Sequence, residues 1–460
     1  MNTRLPYKII AFVILTTVAI AGCSGSQQAA PTEQPTSLPQ QVQKDPLRAY
    51  EGTTLHLALK QGYETTAIED YIQDFEEKTG IKVEYEVYDE PTLRNKFVLD
   101  ATTKTGSYEV VAVQFWYFPE YDKAGWLEPL DDLIANNSIE GMLNVNEIPE
   151  SVRSSFVGKN DNRLYAIPVS AAGGVLTYRK DVLDELGIPV PVSVKDVVSA
   201  AAKVKEMKPN LYGWVGRGES SFASFSTSAG WAWAYGARVL DENNKVTVNT
   251  PEMKEAMEDF VSLNQLYGPP DQAALGWDAE TALFCAKDGG VAFNFEMSGF
   301  PGFWYNPSNC PHGDKLGMAI LTGPGNHAPQ WFYAEALAIN KFSKNKEAAS
   351  LLLQWRMSPE ILKREVQDGI RMDIPYNAVL TDPAYLAKAK ETSLDDYVAM
   401  LPDIFSAVDM RSWPSVPEFV KVAEGFQREI SLAIAGEQTV DEALTKAQTN
   451  IEKVMEEAGY

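Results

Sequence analysis

The chain holds only three histidines and three cysteines in 460 residues. No two of His56, His312 and His327 stand at i, i+4, and no His-Glu or Cys-Cys spacing accompanies them, which argues against a zinc site. Neither a GxSxG elbow nor a GxxxxGK[ST] loop occurs, and Gly216-Arg217-Gly218 lacks the third glycine of a dinucleotide fingerprint. No metal and no cofactor are expected. Basic residues are scarce: 40 against 63 acidic ones, a formal net charge of −23. Phosphate binding needs basic surface, so nucleic acid is a poor candidate partner. The apolar run Ile9 to Ile20 stops at twelve residues, short of the ~20 that a membrane-crossing helix needs. No repeat is visible at the periods of solenoids or propellers.

What is present begins with that same run. Arg4 and Lys8 precede it and small residues follow, as in a signal peptide. It ends in Ile20-Ala21-Gly22-Cys23, which resembles the lipobox of bacterial lipoproteins. The resemblance implies a signal peptide over 1–22, lipidation of Cys23, and anchoring outside the cytoplasmic membrane. Residues 23–50 are rich in Gln, Pro, Ser and Thr, too poor in apolar side chains to offset the entropy of ordering, and are expected to be a flexible tether. Roughly 410 residues remain, enough for two lobes with cores of their own. An exported chain meets an oxidising compartment, so a Cys285–Cys310 disulfide is expected, contributing on the order of 3 kcal/mol. Two buried free thiols are the alternative.

The body opens with a regular alternation. Leu55 to Leu59 reads as a strand, followed by a turn over 60–65. Thr66 and Glu69 have the spacing of a capping box, and Gly80 ends the helix. Ile81, Val83, Tyr85 and Val87 alternate as a second strand, a helix runs through Leu93 and Phe97, and Val110 to Val113 is a third strand. Strand and helix alternating around a continuously apolar third strand imply a parallel sheet covered on both faces. Ligands of open α/β sheets bind beyond the carboxyl ends of the strands. Phe115-Trp116-Tyr117-Phe118 stands at such an end. Phe115 and Phe118 are expected to turn inward, and Trp116 and Tyr117 to face a cleft. Ala171-Ala172-Gly173-Gly174 precedes a second set of strands (175–178, 211–215, 290–295, 316–320, 334–339). The last hundred residues read as helical.

Ten tryptophans occur, several beside Gly or Pro and off helical core spacing. Aromatic rings cover the flat C–H faces of sugars, while planar Glu, Asp, Asn and Arg groups bond pairs of hydroxyls. Glu64, Glu219, Glu296, Arg371, Asp373 and Arg411 supply such groups.

FEEKTGIKVEYE (75–86), YEVVAVQFWYFPEYDKAGWLEPLDDLI (108–134), LYAIPVSAAGGVLTYRKDVLDELGIPVP (164–191) and LAINKFSKNKEAASLLLQW (337–355) together resemble the carbohydrate-class extracellular solute-binding proteins of ABC importers, the group containing maltose-binding protein. YGARVLDENNKVTV (235–248), YGPP (267–270) and the terminal EEAGY resemble its polyol-binding branch. The resemblance implies an α/β, two-lobe periplasmic-binding-protein-like fold of type II, with a hinge of crossing strands. Lobe 1 would comprise 51–172 and 338–385, and lobe 2 would comprise 173–337 and 386–460. It further implies a monomer that captures a sugar or polyol and delivers it to the transmembrane subunits of an ABC permease. Carried over position by position, the ligand contacts would be Tyr63, Glu64, Trp116, Tyr117, Glu219, Phe222, Glu296, Trp331, Arg371 and Trp413. One departure stands out. Residues 171–174 are Ala-Ala-Gly-Gly where maltose-binding protein has a ligand-contacting carboxylate, so polar recognition must come from elsewhere. A secreted glycoside-cleaving enzyme and a carbohydrate-sensing lipoprotein are the alternative functions.

Overall fold

The structure, a computed structural model, describes residues 45–287 and 290–460, with Tyr63 and Glu64 described by backbone alone. Cys23, the signal peptide and most of the expected tether lie outside the described residues. The last residues of that tether belong to the folded body. Pro46–Arg48 form a 3-10 turn capped by Asp45, Leu47 and Tyr50 pack against the core, and the Tyr50 hydroxyl donates to Asn137 at 2.8 Å.

Among the described residues, nine strands form two sheets: β1 (Thr54–Lys60), β2 (Lys82–Tyr88), β3 (Val110–Gln114), β4 (Ala166–Ala172), β5 (Gly174–Arg179), β6 (Tyr212–Val215), β7 (Val291–Met297), β8 (Leu316–Ala319) and β9 (Tyr333–Ile339). The first sheet has the order β2-β1-β3-β9-β4 and the second β6-β7-β5-β8. β1, β2 and β3 are parallel, as their apolar pattern predicts, but the sheet as a whole is mixed. β9 runs antiparallel between β3 and β4, because it enters from the second sheet and so starts at the end where β3 and β4 finish. It lies in the first sheet from Tyr333 onward, earlier than the 337/338 lobe boundary expected from sequence. β3 is buried along its whole length, which is why it carries no polar residue before Gln114. β2 is an edge strand with Tyr85 and Val87 exposed.

The helix after β1 starts at Tyr63, not Thr66, so the anticipated Thr66–Glu69 capping box does not form. Gly62 is its N-cap, with no side-chain cap, and the Thr65 hydroxyl instead donates back to the Lys60 carbonyl. The chain crosses between the sheets at Gly173-Gly174, and close packing explains the glycines there better than backbone freedom. A Cβ on Gly173 would sit 2.6 Å from the Ile404 side chain, and one on Gly174 would sit 2.6 Å from the Phe295 ring and 2.8 Å from the Trp331 nitrogen. Neither glycine has positive φ. The C-terminal helix Val440–Glu457 has the Thr439/Glu442 capping box its sequence spells. Cys285 and Cys310 are joined in a disulfide, with Cys310 fully buried.

Candidate ligand-binding site

The carboxyl ends of β1 and β3 and the start of β9 meet at Glu335, which is 1% exposed. It accepts hydrogen bonds from Gln114 Nε2 at 3.1 Å and from the Tyr333 hydroxyl at 2.9 Å, with Lys60 Nζ at 3.4 Å. Just beyond β2, Glu90 opens the helix Glu90–Thr103 and accepts from Trp116 Nε1 at 3.1 Å. Burial pushes the Glu90 carboxyl above the usual carboxylate range, against the pull of Tyr117, Lys60 and Trp116. Trp116 is half-buried. Its ring meets Phe115, Phe222 and Tyr333 edge-on or tilted, at 5.0, 5.8 and 5.5 Å between centroids.

Phe222 opens the helix Phe222–Trp233, on the segment that follows β6, so its contact with Trp116 joins elements of the two sheets. The same aromatic seam runs from Phe115 to Trp413 (5.1 Å) and from Trp413 to Phe225 (5.7 Å). Phe115 and Phe118 turn inward as expected. Tyr117 does so too, contrary to its expected place on the cleft surface: it is 8% exposed, with Arg94 over its ring.

At the carboxyl ends of β6 and β7 the second sheet holds a buried ionic group. Arg217 Nε stands 2.7 Å from Glu296 Oε1 and 3.5 Å from Glu280 Oε1, and its Nη2 donates to Glu296 Oε2 at 2.8 Å. Trp331 Nε1 donates to Glu296 at 3.0 Å, while the Arg217 guanidinium lies over the Trp331 and Phe300 rings. Burial, reinforced by the neighbouring Glu296 charge, holds the Glu280 carboxyl well above its ordinary range. One guanidinium between two carboxyls that have no access to water favours a single negative charge on the pair.

A third group lines a cavity of about 1130 Å³ whose walls include Trp277, Met297, Phe300, Arg371 and Asp373. Arg371 is buried and donates to the Val169 and Asp373 carbonyls at 2.9 and 2.8 Å. It is therefore fixed to the middle of β4 rather than free to swing.

The residues named from sequence thus fall into three neighbourhoods. Trp116, Tyr117, Phe222 and Trp413 form the seam, Glu296 and Trp331 belong to the Arg217 group, and Arg371 is on the cavity wall. Glu219 is half-buried near the seam and accepts from the Ser221 hydroxyl at 2.9 Å. Tyr63 and Glu64 open their helix beyond β1, and their side chains are not described. Arg411 is exposed and paired with Asp409. Sequence reading missed Lys60, Glu90, Gln114, Arg217, Glu280 and Glu335. The first three were findable, since each is the last residue of a strand or follows one closely. Glu335 sits inside an apolar strand and is recognisable only from its cross-strand neighbours.

The bacterial extracellular solute-binding protein family matches residues 61–362, and the chain belongs to that family. It is 26% identical over 434 residues to the mannitol-binding protein of Pseudomonas aeruginosa, covering 90% of this chain and 96% of that one. It is 22% identical over 344 residues to the erythritol/L-threitol-binding protein of Mycolicibacterium smegmatis, covering 71% of each. Among solved structures it is similar to an ABC transporter solute-binding protein from Agrobacterium vitis S4 with bound D-mannitol. The TM-score is 0.74 at 27% identity, covering 89% of this chain and 99% of that one. Maltose-bound MalE3 of T. maritima shares the fold, with a TM-score of 0.70 at 21% identity and coverage of 87% and 100%. The two-sheet α/β architecture is that of type II periplasmic binding proteins, and the family places the chain outside the cytoplasm.

Proposed function

We propose that this protein is the substrate-binding lipoprotein of an ABC transporter, holding a neutral sugar or polyol between its two sheets and presenting it to a membrane permease. One observation carries the reading. Aromatic rings and planar polar groups from both sheets gather at the carboxyl ends of the strands, with Trp116, Glu90 and Glu335 on one side and Phe222, Arg217 and Glu296 on the other. The relatives' polyol ligands support the same class of solute. The Glu90 and Glu335 carboxylates supply the polar recognition that Ala-Ala-Gly-Gly at 171–174 does not. A ligand touching both lobes favours the closed arrangement by its differential affinity for closed over open, the hinge-closure repertoire of such binding proteins. The Cys23 lipid would keep the protein beside its permease.

A thermal-shift screen over pentitols, hexitols, hexoses and disaccharides tests this. Bound ligand raises the unfolding midpoint, by an amount equivalent to ~2.7 kcal/mol at a hundred times Kd. Chromatography of the incubated ligand should show it intact. A screen without any shift, or one that releases monosaccharides from a disaccharide, would contradict the proposal.

A further inference from the structure

The cavity lined by Arg371 has properties that the aromatic seam lacks. Its volume of about 1130 Å³ exceeds the ~300–1,000 Å³ typical of sites for drug-sized ligands, and is far more than a single six-carbon polyol fills. Two large aromatic side chains on its wall are open to solvent: Trp277 is 50% exposed and Phe303 is 52% exposed. Side chains of this kind are normally withdrawn into a core, and here the surrounding wall is held in place. Phe300 lies 6.1 Å from Trp277 and stacks on Trp304 at 5.3 Å. Trp304 is fully buried against Phe284 at 4.8 Å, and the Cys285–Cys310 disulfide closes the same segment. The exposed rings are therefore displayed on a rigid support.

The polar lining selects the ligand further. Lys180, Arg371 and Lys388 are balanced by Asp314, Asp373 and Asp396, so the cavity wall is neutral in a chain of net charge −23. The hydroxyls of Thr281 and Tyr305, both on the wall, are buried without a hydrogen-bond partner among the described residues. Neutral walls, unpartnered hydroxyls and exposed aromatic faces suit an uncharged polyhydroxy ligand with a ring. An open-chain polyol has no flat face to stack.

We infer that the cavity beside Arg371 is a ring-sugar subsite, and that the ligand is an uncharged glycoside of at least disaccharide size with one pyranose stacked on Trp277 and Phe303. This rests on the sugar-binding reading proposed above and narrows it.

Calorimetric titration of the full chain with D-mannitol, D-glucose, maltose, trehalose and sucrose, repeated on Trp277→Ala and Phe303→Ala, tests it. Both rings are half exposed, so their truncation leaves the core unaltered, and circular dichroism melts verify this. The expected result is that at least one disaccharide binds more tightly than mannitol or glucose. Trp277→Ala should then weaken that disaccharide by roughly ten- to hundredfold, by analogy with base stacking on aromatic rings. Mannitol or glucose binding at least as tightly as every disaccharide would overturn the inference while leaving the sugar-binding reading intact. So would unchanged disaccharide affinity in both variants. No binding by any of the five compounds would overturn both.

Discussion

Glu280 and Glu296 share Arg217 in a site where none of the three side chains is more than 5% exposed. Burial and the nearby Glu296 charge raise the Glu280 carboxyl above its ordinary value, so the folded protein keeps a proton that the unfolded chain gives up above ~4.3. Stability from this group is therefore full below that value and falls as pH rises toward the native one. Glu280→Gln keeps the shape of the neutral acid. Urea unfolding from pH 4.5 to 8 should find it near wild type at the acid end and increasingly favoured over wild type as pH rises. A difference that is constant across this range would show Glu280 to be ionised throughout. Arg217→Met leaves the carboxyls without their cation and should lose ~3–5 kcal/mol in the same assay.

Trp116 carries the residue-scale prediction for binding. Among the described residues its ring makes edge and tilted contacts, and it is half-buried. Trp116→Ala should weaken binding of the tightest ligand by roughly ten- to hundredfold. Its loss of stability should stay below the ~3–5 kcal/mol of a core tryptophan. Collapse of stability with normal affinity in the remaining folded protein would mark it as core.

At the level of elements, the segment between β7 and β8 depends on its crosslink. Replacing both Cys285 and Cys310 by serine should lower stability by about 3 kcal/mol in a denaturant titration of the oxidised protein. No change would mean that Trp304 and Phe284 hold the segment unaided. The strands of this fold were legible because their apolar runs are dictated by burial on both faces, as at β3, and the final helix because Thr439 and Glu442 cap it by local bonds. The start of the first long helix was not legible. Its end is fixed by the turn from Lys60 to Thr65, so a correctly spaced Thr66–Glu69 pair goes unused. The antiparallel course of β9 is likewise set by a crossing from a distant sheet, which no local pattern encodes. Among candidate site residues, sequence located Trp116 at its strand end. It missed Glu335, because a single carboxylate within an apolar strand, among 63 acidic residues, is distinguished only by what surrounds it.

For the whole molecule, attachment and capture are separable. Cys23→Ser should free the protein from membranes on cell fractionation while leaving ligand affinity of the purified chain unchanged. Continued membrane attachment would contradict the anchor. Capture itself requires one ligand to engage both sheets at once, and amide hydrogen exchange reads that directly. Exchange should be compared with and without a saturating concentration of the compound that most raises the unfolding midpoint. Protection is expected to increase together at the ends of β1 and β3 and at the segments following β6 and β7, residues 60–63, 114–118, 216–222 and 296–300. Protection confined to one sheet, or absent from all four segments while the compound is bound, would contradict a solute held between the lobes.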